Sequence, residues 1–169
     1  FNGAIHYCSN EIKKELKIKQ KTLSYSVFET NLIDKCLEYI KHLYSIIQPT
    51  ELIYISVDGI APMAKISQQR NRRYFSDWRK KHLLQVLDER NFDHKFLKNE
   101  WNSNSITPGT KFMKNLMNKI KEFIEEYEKE INVKIILSSC IDEIGEGEQK
   151  IFHYIENNYS ENKIDIIYG

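Results

Sequence analysis

The stretch Leu-Ile-Tyr-Ile-Ser-Val (52–57), continued by Asp-Gly-Ile-Ala-Pro-Met-Ala-Lys-Ile-Ser-Gln-Gln-Arg-Asn-Arg-Arg (58–73), decides the fold. Its first six residues are β-branched or aromatic for most of a strand's length. Asp58 and Gly59 then close the run, and in α/β proteins the ends of strands are where binding sites gather. Pro62 suits the first position of a helix, where its missing N–H leaves no bond unmade. On a helix starting there, Lys65, Gln69, Arg72 and Arg73 stand at i, i+4, i+7 and i+8 and share a wedge of roughly 100°. Three cations and an amide beside a carboxylate have the chemistry of a phosphate clamp next to a metal. The plainer reading is a solvated basic helix face.

Outward from this stretch, helical and strand periods alternate. Leu32, Cys36, Tyr39, Ile40, Leu43 and Ile47 recur at helical spacing, predicting an amphipathic helix over 27–47 that stops before Gln48-Pro49. The basic helix is predicted from 62 past Leu84. Thr107-Pro108 has the form of an N-cap with proline at the first helical position. Beyond it Phe112, Leu116, Ile120, Phe123 or Ile124, and Tyr127 mark a buried stripe. Lys134–Ser139 is a second strand, Glu146–Asn157 a helix, and Ile164–Tyr168 a third strand. Three segments carry little pattern. Residues 1–6 have the form of a strand exit and turn, and the Lys-rich 10–25 that of a mobile loop with at most a helical turn. Residues 88–105 are polar and aperiodic, read as a loop or poorly ordered insert. The expected fold class is α/β, a mainly parallel sheet flanked by helices. We expect one domain over 1–169, an excerpt of a larger one.

Composition narrows the function classes. With 25 basic and 24 acidic residues the net charge is +1, so bulk attraction to polyanions is absent. Charge is instead local: residues 63–82 carry Lys65, Arg70, Arg72, Arg73, Arg79, Lys80 and Lys81 against Asp77 alone. A basic stripe in a neutral chain suits a groove that tracks phosphates. Cys8, Cys36 and Cys140 are scattered and odd in number, unlike zinc ligands or a disulfide frame. No apolar run approaches the ~18 residues of a membrane span.

The candidate acids are Asp58, Glu146 and Glu148. Asp58 could equally cap a turn, and the two glutamates could stabilise a helix start. The sequence Gly145-Glu-Gly-Glu148 places two glycines where helix propensity suffers, which makes sense where another backbone or a ligand comes very close. Carboxylates projecting from strand ends suit hard ions such as Mg²⁺.

Four ordered motifs resemble the 5′→3′ exoribonuclease (XRN) family, in its N-terminal catalytic region. They are Asn-Gly-Ala-Ile-His-Tyr-Cys-Ser (2–9), the 58–73 stretch, Ser-Ile-Thr-Pro-Gly-Thr-Lys-Phe-Met (105–113) and Gly-Glu-Gly-Glu-Gln-Lys-Ile (145–151). The resemblance implies a PIN/flap-nuclease-like core. It implies that Asp58, Glu146 and Glu148 are catalytic metal ligands for two Mg²⁺ or Mn²⁺ ions, joined by acids that would lie just before Asn2 and beyond Gly169. It implies that Lys65, Gln69, Arg72 and Arg73 bind a 5′-phosphate and that His6 stacks on the first base. The implied activity is processive degradation of single-stranded RNA bearing a 5′-monophosphate to nucleoside 5′-monophosphates. The alternatives are an inactive relative serving as an RNA-binding or scaffold module, and a structure-selective flap-type 5′ nuclease. The expected residence is cytoplasmic, with nuclear as the alternative, and no membrane partner is expected. Three positions depart from the family pattern: Met63 for arginine, Ile144 for proline and Gln149 for histidine. None removes a candidate ligand.

Overall fold

The computed structural model describes residues 1–19, 21–92 and 100–159. Its elements run α1 (Asn2–Ile18), α2 (Tyr25–Ile47), β1 (Leu52–Ser56), α3 (Met63–Glu89), a 3₁₀ turn (Ser103–Ser105), α4 (Lys111–Ile131), β2 (Lys134–Ser138) and α5 (Gly147–Tyr159). β1 and β2 pair in parallel, with Leu52 opposite Lys134 and Ser56 opposite Ser138. This is the α/β arrangement expected, dominated by helices around a small parallel sheet. The strand predicted at 164–168 lies outside the described residues.

Strand alternation divides the sheet's contacts. On one face Ile55, Val57 and Ile135 are buried, joining α1, α2 and α4 in a common core. On the other face Tyr54 packs its ring 4.6 Å from that of Tyr154 on α5. The core is built from helical stripes: Phe28, Leu32, Cys36 and Ile40 from α2, and Phe112, Met113, Leu116, Met117, Ile120, Ile124 and Tyr127 from α4. Ser24 caps α2 by accepting from Val27 N. Gln48, in the left-handed conformation at φ 48°, ends it just before Pro49.

Three expectations are corrected. The opening residues are not a strand exit, and 10–25 is not chiefly a loop. α1 runs unbroken to Ile18 because Ile5, Cys8, Ser9 and Ile12 form a narrow stripe buried against α2, while the lysines lie on the other faces. The α4 helix begins three residues later than Pro108 suggested. Gly109 has φ +85°, and Thr110 N donates to Thr107 O at 3.2 Å. This is the Pro-Gly pattern of a type II turn. Thr110 is the cap, its hydroxyl accepting from Met113 N at 3.3 Å. Finally, the 88–105 insert is ordered at both its described ends. α3 extends to Glu89, and Trp101 is buried. The Trp101 ring lies 4.9 Å from Phe28 and 5.3 Å from Phe112, and its indole N–H donates to Glu29. Residues 93–99 of that segment lie outside the described residues.

α3 differs from its neighbours. Its 27 residues include none that is buried. Polar ties hold it: Lys80 donates to Glu100 O, and Asn102 and Asn104 donate to Asp77. A row of exposed rings, Phe75, Trp78 and His82, stacks along it at 5.7 and 5.3 Å, with Arg79 over Phe75.

Candidate functional site

The parallel ladder ends where Val57 N donates to Ser138 O at 3.0 Å. Past that point the chain is tied to other elements. Asp58 N donates to the side-chain oxygen of Asn2, the first residue of α1, at 3.2 Å. Gly59 N donates to Gly145 O at 2.8 Å, and Gly145 N returns to Ile60 O at 3.3 Å. Asp58 Oδ1 accepts from Gly147 N at 2.7 Å, one of the unpaired N–H groups at the start of α5, where the helix dipole favours a carboxylate. Asp58 and the Gly-Glu-Gly-Glu turn are thereby laced into one unit.

Gly147 serves close approach, as its placement suggested, and Gly145 serves the turn's backbone conformation. A side chain at Gly147 would sit 3.1 Å from Asp58 Oδ1 and 3.2 Å from Ser56 Oγ. Gly145 adopts φ +106°, which L side chains rarely reach. A third glycine escaped sequence reasoning: a methyl at Gly59 would overlap the carbonyl oxygen of Glu143.

Glu146 is brought beside the basic helix, its Oε1 accepting from Lys65 Nζ at 2.6 Å. The predicted clamp and the predicted acids therefore touch. Glu148 sits exposed in the first turn of α5. On α3, Arg73 donates to Gln69 Oε1 at 3.4 Å, and Arg72 is exposed. His6 lies on α1 with its side chain exposed. Its pKa is lowered from 6.5, first by lost hydration and then by the charges of Lys13 and Arg72. His6 and Arg72 are therefore within electrostatic reach of each other. An open groove lined by Gln68, Asn71, Arg72, Tyr74 and Phe75 follows α3, away from Asp58.

In donor chemistry, carboxylates suit a hard divalent ion; Asp58 follows the end of β1, while Glu146 and Glu148 lie at the start of α5 and not, as expected, on a strand end. Ser56 Oγ, buried without a hydrogen-bond partner, faces the same Asp58–Gly147 junction. Asp58, Glu146 and Glu148 would hold the ion. Among the described residues, no three His, Cys, Asp or Glu side chains already converge on one point. Two residues that organise the junction were missed, Asn2 and Lys150. No local signal marks either, because both act on a strand end distant in sequence.

An α/β fold with acids at a strand end and a helix start, set against a basic helix, is the class these features define. The family model described as the XRN 5'-3' exonuclease N-terminus matches residues 1–169, and the chain belongs to that family. It is 36% identical to the 5'-3' exoribonuclease 1 of Saccharomyces cerevisiae over 99% of this chain and 11% of that protein. It is 33% identical to the 5'-3' exoribonuclease 1 of Schizosaccharomyces pombe, over 99% of this chain and 13% of that protein. To the 5'-3' exoribonuclease 2 of Gallus gallus it is 31% identical over 91% of this chain and 16% of that protein. The chain thus spans less than a fifth of the length of these relatives.

Proposed function

We propose that the protein is a metal-dependent 5′→3′ exoribonuclease with a PIN/flap-nuclease-like core. It degrades single-stranded RNA carrying a 5′-monophosphate, processively, to nucleoside 5′-monophosphates. One observation carries the reading furthest: Lys65 of the basic helix contacts Glu146 of the acidic turn. A phosphate held on α3 would therefore lie within a few side-chain lengths of Asp58.

In this reading Arg72 and Arg73 offer planar forks to the 5′-phosphate, Lys65 a point charge and Gln69 a neutral donor. His6 stacks on the first base. Asp58, Glu146 and Glu148 would hold Mg²⁺ or Mn²⁺. When two such ions are bound, they supply an activated water and offset charge on the leaving oxygen. Water attacks phosphorus at the first internucleotide linkage, and the bond to the 3′ oxygen breaks. The products are a nucleoside 5′-monophosphate with a free 3′-hydroxyl and an RNA one residue shorter. That RNA again carries a 5′-monophosphate, the group the clamp recognises, so the chemistry itself favours repeated cycles on one strand.

The test uses the full-length chain and RNAs differing only at the 5′ end. Asp58→Ala and Glu148→Ala are expected to abolish nucleotide release while RNA affinity stays within a few-fold. Arg72→Ala is expected to shrink the preference for monophosphate over hydroxyl ends. Full turnover in Asp58→Ala, or equal rates on the two ends in the unmutated protein, would overturn the assignment.

A further inference from the structure

Lys150 is the only charged residue buried among the described residues, with 8% of its surface exposed. It lies in the first turns of α5, on the side turned to the sheet. Its Nζ donates to Val57 O at 2.9 Å and to Ser139 O at 3.1 Å. These are main-chain carbonyls just past the last paired residues of the two strands. In the observed register Ser56 pairs with Ser138, and Val57 N donates to Ser138 O. The next rung of a parallel ladder would draw on Val57 O. The ammonium takes that carbonyl and ties it to the end of β2. The strands are thus joined beyond their ladder without being held in sheet geometry, and Asp58 turns out to meet Gly147 N.

Burying an ammonium without a carboxylate partner is costly. An apolar residue of similar length would leave the Val57 and Ser139 carbonyls without this donor, so the lysine holds these two main-chain groups in one arrangement. We propose that Lys150 is a positioning residue for the phosphodiester hydrolysis: it fixes the Val57 carbonyl and thereby the direction in which Asp58 presents its carboxylate. The inference rests on the reading of Asp58 as a metal ligand. It assigns Lys150 no contact with RNA or ion.

The experiment compares the full-length protein with Lys150→Met, Lys150→Gln, Asp58→Ala and the core variant Leu116→Ala. Mn²⁺ alone is titrated by electron paramagnetic resonance, kcat and KM are measured on 5′-monophosphorylated single-stranded RNA, and melting is followed by circular dichroism. Lys150→Met keeps the stem and removes the donors. Groups that orient ligands are typically worth about 10–100-fold in metal affinity or activity. A loss of that size in both Mn²⁺ affinity and kcat, with KM for RNA changed less than about threefold, is the expected result. Lys150→Gln, which retains a neutral donor, falls between Lys150→Met and the unmutated protein, and it stands in for Lys150→Met if that chain does not fold. Leu116→Ala lowers the melting temperature yet leaves Mn²⁺ affinity unchanged. The proposal is overturned if the Lys150 variants bind Mn²⁺ and turn over like the unmutated protein, or if Leu116→Ala loses Mn²⁺ affinity equally. Asp58→Ala separates the two levels. If it retains metal and activity, the functional reading fails; if it is inactive while Lys150→Met is normal, only the positioning role fails.

Discussion

Gly59→Ala tests the lacing of the strand end to the acidic turn. Gly59 does not have a positive φ, so backbone strain plays no part and the effect is steric. The added methyl would overlap Glu143 O and lie 3.3 Å from Gly145 O, both main-chain atoms that no rotamer change can move aside. Forcing a methyl into a packed site costs about 1–3 kcal/mol. The Gly59 N–H bond to Gly145 O, 2.8 Å long, would stretch or break, adding about 0.5–1.5 kcal/mol. Restricting the unfolded chain returns about 0.4–1 kcal/mol. The net loss is therefore about 0.5–4 kcal/mol, and at about 2–4 °C per kcal/mol for a chain of this size the melting temperature falls by roughly 1–16 °C. Circular dichroism melting of this chain measures it, with Gly3→Ala as the control. A methyl at Gly3 meets nothing within 4 Å, so Gly3→Ala should melt at or above the parent. A Gly59→Ala chain as stable as the parent would refute the close approach, and with it the fixed relation of Asp58 to Gly147.

Trp101→Ala should cost about 3–5 kcal/mol, since its ring is buried between Phe28 and Phe112. Trp78→Ala, on the exposed row of α3, should stay within about 0.5 kcal/mol in this chain; chemical denaturation of both variants checks the contrast, and equal losses would disprove it. His6 should titrate below 6.5 by NMR of its ring protons, because lost hydration and then Lys13 and Arg72 disfavour its charged form. A depressed folded pKa means that the unfolded chain binds the proton more readily. Its contribution to stability is therefore present above about 6.5 and is lost as pH falls through the folded value. A midpoint at or above 6.5 would contradict the partly dehydrated, cation-flanked setting of His6.

What was legible in the sequence follows the range of the forces involved. α2, α4 and both strands carry broad apolar patterns, and α3 carries a charged one, so local periodicity found them. α1 was missed because its buried stripe is thin and includes Ser9 and Cys8, which weakens the apolar signal beside many lysines. The start of α4 was misplaced because Pro108 suits both a helix start and a turn. The left-handed Gly109 decides for the turn. At the site, the glycine at 147 announced a close approach but not its partner, and the glycine at 145 met a positive φ instead. Asn2, Gly59 and Lys150 act on one strand end from widely separated places in the chain, and only tertiary packing brings them together.

The two halves of the candidate site are held by different forces. Asp58 sits on a buried strand end, braced by Asn2, Gly145, Gly147 and, through Val57, Lys150. The basic helix buries no side chain, and among the described residues its ties are polar: Lys65 to Glu146, Lys80 to Glu100 O, and Asp77 to Asn102 and Asn104. Segments with few buried apolar contacts open at lower free energy than a packed core. Asp58 therefore belongs to the rigid part of the molecule and the basic helix to the compliant part. This division suits the proposed function, in which an RNA strand would advance one nucleotide per cycle. Under the proposed function, Asp58 would keep its geometry while the basic helix released one 5′ end and accepted the next.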